Sequence, residues 1–81
     1  MASYKLLIRP SAVKELSGLA KKDGERITSE IRGLSVEPRL VGCEKLSGHE
    51  TTYRLRQGSY RIVYQIDDDR QTVGVVRIRH R

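Results

Sequence analysis

Arginines clustered in two short stretches are the residues of this 81-residue chain with the clearest capacity for chemistry. They stand at Arg54, Arg56 and Arg61, and again at Arg77, Arg79 and Arg81. A guanidinium is a permanently charged, planar fork of donors. It matches the oxygens of a phosphate and can stabilise negative charge that develops on them. Thr52–Ile66 holds three arginines and no acid, and Arg70–Arg81 holds four arginines and no acid. The acids between these stretches are Asp67, Asp68 and Asp69, in a position that reads as the tip of a turn.

Strand parity organises the charge. Tyr53–Arg56 alternates apolar and basic residues, Gln57-Gly58-Ser59 reads as a turn, and Tyr60–Ile66 alternates again. Period-two alternation marks strands with one buried and one free face. Tyr60, Ile62, Tyr64 and Ile66 are then expected to face a core, and Arg61 to face out. In Thr72–Arg79, strict alternation puts Val73, Val75, Arg77 and Arg79 on one face, with Arg81 continuing that parity. The simplest assignment gathers Arg54, Arg56, Arg61, Arg77, Arg79 and Arg81 on one open face. Six like charges repel one another, so a polyanion is the expected partner, RNA or DNA ahead of an acidic protein.

Other reactive side chains carry weaker signals. His80 can titrate near neutral pH and is a candidate acid or base, although no acid or nucleophile adjoins it in sequence. His49 sits in a loop, where solvation is the ordinary fate of a histidine. Cys43, the one cysteine, excludes an internal disulfide and a cysteine-rich zinc site, and it has no histidine at a recognisable spacing. Consecutive aspartates at a hairpin tip are ordinary turn residues, so no metal or other cofactor is expected.

The elements that must position the arginines follow in order. Tyr4–Ile8 reads as a short strand. Pro10 opens a helix whose apolar face is Val13, Leu16, Leu19 and Ala20. Asp23 is the expected N-cap of a second helix, with the stripe Ile27, Ile31 and Leu34, stopped before Pro38. Arg39–Thr52 shows no period and reads as a connecting loop. Three strands then form an antiparallel meander. The expectation is one α+β domain of order β-α-α-β-β-β. Its N-terminal helical hairpin packs on one face of a four-stranded, mostly antiparallel sheet. The net charge of +6, the lone cysteine and the absence of a long apolar run at the N-terminus predict a soluble cytoplasmic protein.

This order, together with Lys45-Leu46-Ser47-Gly48, Tyr53-Arg54-Leu55-Arg56, Gly58-Ser59-Tyr60-Arg61-Ile62-Val63-Tyr64 and Ile78-Arg79-His80-Arg81, resembles the RelE/ParE toxin superfamily, and its RelE branch in particular. The resemblance spans nearly the whole chain. It implies the toxin of a type II toxin–antitoxin system, which enters the ribosomal A site and cuts mRNA. It implies as partners a RelB-like antitoxin, the ribosome with its mRNA, and operator DNA reached through the antitoxin complex, with no membrane. Arg54 and Arg56 match a basic pair that grips the RNA backbone, Arg61 an arginine that stabilises the transition state, and Arg81 a C-terminal catalytic arginine. The RelE branch continues past this point to a tyrosine that takes part in catalysis. This chain ends at Arg81, so weak or absent cleavage is expected of the 81-residue form. Two other functions fit the scaffold: a ParE-like inhibitor of DNA gyrase without nuclease activity, and a module that only binds an antitoxin or nucleic acid.

Overall fold

The computed structural model describes residues 3–40, 42–48 and 50–80. Its elements are β1 (Lys5–Ile8), α1 (Pro10–Ser17), α2 (Lys21–Gly33), β2 (Cys43–Lys45), β3 (Thr52–Gln57), β4 (Tyr60–Asp67) and β5 (Thr72–His80). The fold is α+β, with two helices and a five-stranded sheet in the order β1-β5-β4-β3-β2. The strand count corrects the expected four. The fifth strand is β2, inside the segment read as a loop, where Cys43, Glu44 and Lys45 pair antiparallel with Leu55, Arg54 and Tyr53. Three residues are too few to show a period, so this strand exists through pairing with β3 rather than through its own pattern.

Pro10 begins α1 as expected, after Arg9 in extended conformation. Gly18 ends it, its N–H donating to the carbonyls of Lys14 and Glu15 at 3.2 Å each. The second helix starts at Lys21 with Ala20 as N-cap, so Asp23 is not the cap. It lies in the first turn, where its charge complements the helix dipole. Gly24 lies within α2, where the backbone tolerates it.

The core is built from Ile27, Ile31 and Leu34 of α2 and its end, Ala12 of α1, and the inward residues of β3, β4 and β5. Ala12, not Val13, is the buried residue of α1, and Val13 is half exposed. Tyr64 is fully buried and donates its hydroxyl to the Pro38 carbonyl at 2.8 Å. Burial holds its phenol well above the ordinary value. Tyr64→Phe leaves that carbonyl without its donor, and should lower stability by about 1–2 kcal/mol in urea denaturation.

The sheet is antiparallel except at one edge, where β1 runs parallel to β5, Lys5 opposite Thr72 through Ile8 opposite Val75. Beyond Ile8 the edge of β5 passes to α1. Arg9 N–H donates to Val75 O at 3.0 Å, Ser11 Oγ to Val76 O at 3.1 Å, and Ile78 N–H to Glu15 Oε1 at 2.8 Å. The edge is covered as far as Ile78, which removes most of a template for unwanted strand pairing.

A bulge in β5 corrects the strict alternation assumed for this strand. Val63 faces Arg77 but Tyr64 faces Val75, so Val76 is an extra residue. Before the bulge Val73 and Val75 point into the core, and after it Ile78 does. Val73 and Val75 therefore do not share a face with Arg77 and Arg79. One inserted residue lets the strand fill the core at one end and carry arginine outward at the other.

Candidate nucleic-acid interface

The hairpin sets the register of the site. Gly58, with φ of 61°, takes the first position of a two-residue turn, where only glycine is unstrained. Gln57 then pairs with Tyr60, and Arg56 must lie opposite Arg61. On the other side of β4, Arg61 lies opposite Arg79. Arg56, Arg61 and Arg79 thus form one row across three strands, with neighbouring backbones about 4.8 Å apart. Their side chains leave the sheet on the face that the helices do not cover.

The next row reads Glu44, Arg54, Val63, Arg77. Its arginines are matched by carboxylates. Arg54 Nη2 lies 3.5 Å from Glu44 Oε1, an exposed cross-strand pair. Arg77 is held more firmly: Nη2 is 3.1 Å from Glu15 Oε2, and Nε donates to both carboxylate oxygens at 3.2 and 3.3 Å. The Ile78 N–H, with Arg77 second to it, holds the Glu15 carboxyl below its usual range. By contrast, no carboxylate among the described residues lies within 4.0 Å of Arg56, Arg61 or Arg79. Like charges directly opposite on a sheet destabilise it. Arg79 feels the Glu15 charge only at longer range, and the row makes no ion pair among the described residues, so it carries repulsion that a bound phosphate would relieve.

The other residues singled out from sequence lie elsewhere. His80 pairs with Tyr60, its ring edge-on at 4.9 Å between centroids. Tyr60 faces the helices and donates to Asp23 Oδ2 at 3.3 Å. His80 thus stands on the opposite side of the sheet from the arginine row, because it is one residue past Arg79. Arg81 and His49 lie outside the described residues. Cys43 is partly buried beside Leu55. The carboxylate partners of the second row were not visible in the sequence: Glu44 needed β2, and Glu15 needed the docking of α1 on the β5 edge.

The aspartate turn is structural in part. Asp67 Oδ1 accepts the Arg70 N–H at 3.0 Å. Asp68 accepts Arg39 through both oxygens, at 3.2 and 2.8 Å, and the Tyr4 hydroxyl at 2.7 Å. Arg39 also lies over the Tyr53 ring, 5.4 Å from its centroid. These contacts join the N-terminus, the segment after α2 and the β4–β5 turn. Arg39 and Tyr4 hold the Asp68 carboxyl below its ordinary value. Asp68 and Glu15 both have folded values below their unfolded ones, so their stabilisation is present above about pH 4 and disappears as pH falls through the lowered values. The urea midpoint should be flat from pH 7 to 5 and fall below pH 4, and Asp68→Asn should flatten that fall.

Comparison with known proteins identifies the family and the fold. The model of the family described as ParE toxin of type II toxin–antitoxin system, parDE, matches residues 6–81. Toxin RelG of Mycobacterium tuberculosis is 42% identical over 48 residues, which cover 59% of this chain and 55% of that relative. Among solved structures, the toxin–antitoxin complex RelBE2 of the same organism contains a chain that superposes with a TM-score of 0.84 at 30% identity, covering 98% of this chain and 99% of that one. The intact Escherichia coli RelBE complex gives 0.83 at 28% identity, covering 96% of each chain. The chain belongs to the ParE toxin family within the RelE/ParE superfamily, and it is a type II toxin with the fold of the RelE toxins.

Proposed function

We propose that the chain is a ribosome-dependent mRNA endoribonuclease that halts translation in the cytoplasm and is held in check by a RelB-like antitoxin. The observation that carries this reading is the uncompensated row Arg56–Arg61–Arg79 on the open face of the sheet. RNA brings its own nucleophile. The 2′-oxygen forms a bond to the adjacent phosphorus as the bond from phosphorus to the 5′-oxygen breaks, leaving a 2′,3′-cyclic phosphate and a 5′-hydroxyl. The 2′-hydroxyl proton passes to solvent water with attack, and the departing 5′-oxygen takes a proton from water, so the step is balanced in protons. Negative charge accumulates on the phosphoryl oxygens in between. Arg61, flanked by Arg56 and Arg79, would stabilise that charge. Arg54 and Arg77 flank the row, held by Glu44 and Glu15, and join the grip only where phosphate displaces those carboxylates. Arg81 is assigned the second catalytic role from the family resemblance. Bending the mRNA in the A site brings the 2′-oxygen into line.

The antitoxin is proposed because the similar toxins named above were solved in complexes with theirs. Operator DNA would be reached through that complex. A second reading, inhibition of DNA gyrase without RNA cleavage, is favoured by the name of the matching family. Induced expression of the gene separates the two. Arrested translation with cut mRNA supports the nuclease. Filamentation with damaged DNA and intact mRNA supports the gyrase inhibitor.

A further inference from the structure

The open face of the sheet does not end at the arginines. Four residues along β4 from Arg61, about 13 Å away and on the same face, is Gln65. Its row across the sheet reads Leu7, Gly74, Gln65 and Thr52. Gly74 leaves a gap in that row between the side chains of Leu7 and Gln65. Nothing in the fold requires a glycine there. Its backbone is not in the left-handed region, and a Cβ would meet no atom within 4 Å. A glycine in mid-strand weakens a sheet and marks a place where something approaches the backbone. The gap is the floor of an open groove of about 600 Å³.

The walls define what fits. Leu7, half exposed, is an apolar wall. Arg9 donates through Nη2 to Gln65 Oε1 at 3.3 Å, which sets a guanidinium plane at the rim. Thr51, tied to β4 by the bond from Ile66 N–H to its carbonyl, and Thr72 add hydroxyls. The aspartates of the β4–β5 turn close one end, Asp67 occupied by Arg70 N–H and Asp68 by Arg39 and Tyr4. That carboxylate end repels a phosphate. A flat group with donors and acceptors on its edge suits an apolar wall, a guanidinium plane, an amide and two hydroxyls.

We infer that this groove is a nucleobase-binding subsite, which takes one unstacked base of the same RNA strand whose phosphate lies on the Arg56–Arg61–Arg79 row. The inference rests on the RNA reading proposed above and adds a base-recognition site to its backbone grip. Its ligand is an RNA base a short way along the strand from the scissile phosphate, with specificity set by Gln65, Thr51 and Thr72.

The test is binding to ribosomes programmed with an mRNA whose A-site 2′-oxygens are methylated, so that no cleavage intervenes. The same mRNA is then made abasic at one nucleotide at a time on either side of the methylated site. The parent protein should lose about tenfold in affinity at one abasic position. Gly74→Leu, which fills the gap and should keep or raise the Tm, should lose about tenfold on intact mRNA and nothing further on that abasic mRNA. Arg9→Ala, which leaves the core untouched, should behave in the same way. Unchanged binding by both variants overturns the inference, as do losses that multiply to about a hundredfold. Gly74→Leu binding that is normal to mRNA but weakened to the antitoxin would also overturn it, and would make the groove a peptide site. If the parent's binding depends on neither the mRNA nor Arg61, the RNA reading itself fails and the subsite falls with it.

Discussion

Arg61→Ala is expected to slow mRNA cleavage on programmed ribosomes by about 10²–10³-fold, the usual consequence of removing one preorganised donor from a developing oxyanion. Single-turnover conditions with excess toxin read this without interference from product release. The same substitution should leave stability unchanged or raise it by up to about 0.5 kcal/mol, because Arg61 stands directly between Arg56 and Arg79. Loss of activity with no loss of stability separates a functional arginine from a structural one. Arg77→Ala should show the reverse balance. It removes the partner of Glu15, which also anchors the Ile78 N–H. A modest loss of stability should accompany a smaller loss of rate.

The second large effect is on salt dependence. Three uncompensated arginines that each engage one phosphate of single-stranded RNA give a slope of log K against log[salt] of about −2. Affinity for a short RNA should then fall roughly 20-fold between 50 and 200 mM salt. If Arg54 and Arg77 also released their carboxylates and bound phosphate, five contacts would give a slope near −3.5 and a fall of roughly 130-fold. Fluorescence anisotropy across that range distinguishes the cases. Glu44→Gln, which frees Arg54 from its cross-strand partner, should steepen the slope by a fraction of a unit.

The parts of the fold that announced themselves in the sequence are those with strong local rules. The β3–β4 hairpin was legible because glycine at the first position of a two-residue turn fixes the register, and the alternation on either side then has one solution. The stripe Ile27, Ile31, Leu34 was legible because its spacing is helical and all three residues are buried. The misreadings have physical causes of the opposite kind. β2 is stabilised by a neighbour, not by its own residues. Asp23-Gly24 reads as a break before α2, yet a packed helix absorbs one glycine and α2 begins at Lys21. Val13 was expected inside because it fits the helical period, but α1 lies along the sheet edge and turns Ala12 inward instead. The bulge at Val76 was invisible because it appears only when two strands are compared.

The candidate site divides in the same way. Arg54, Arg56 and Arg61 could be assigned a common face from alternation alone. That Arg56, Arg61 and Arg79 share one row, while Arg54 and Arg77 are already paired, depends on register across three strands and on two glutamates distant in sequence. The sequence read six equivalent charges. The structure divides those it describes into a free row and a paired row, and this division is what gives Arg61 its central place.

Action of the free arginine row on RNA is the step on which the proposed function stands. The most direct measurement is primer extension on mRNA from programmed ribosomes treated with the parent protein, with Arg61→Ala, and with Arg56, Arg61 and Arg79 all changed to Ala, beside a gyrase supercoiling assay of the same preparations. A-site cuts are expected with the parent, a loss of at least about 10²-fold with Arg61→Ala, no cuts with the triple variant, and normal supercoiling throughout. Cuts of equal strength from all three proteins, or inhibited supercoiling with intact mRNA, would contradict the proposed function.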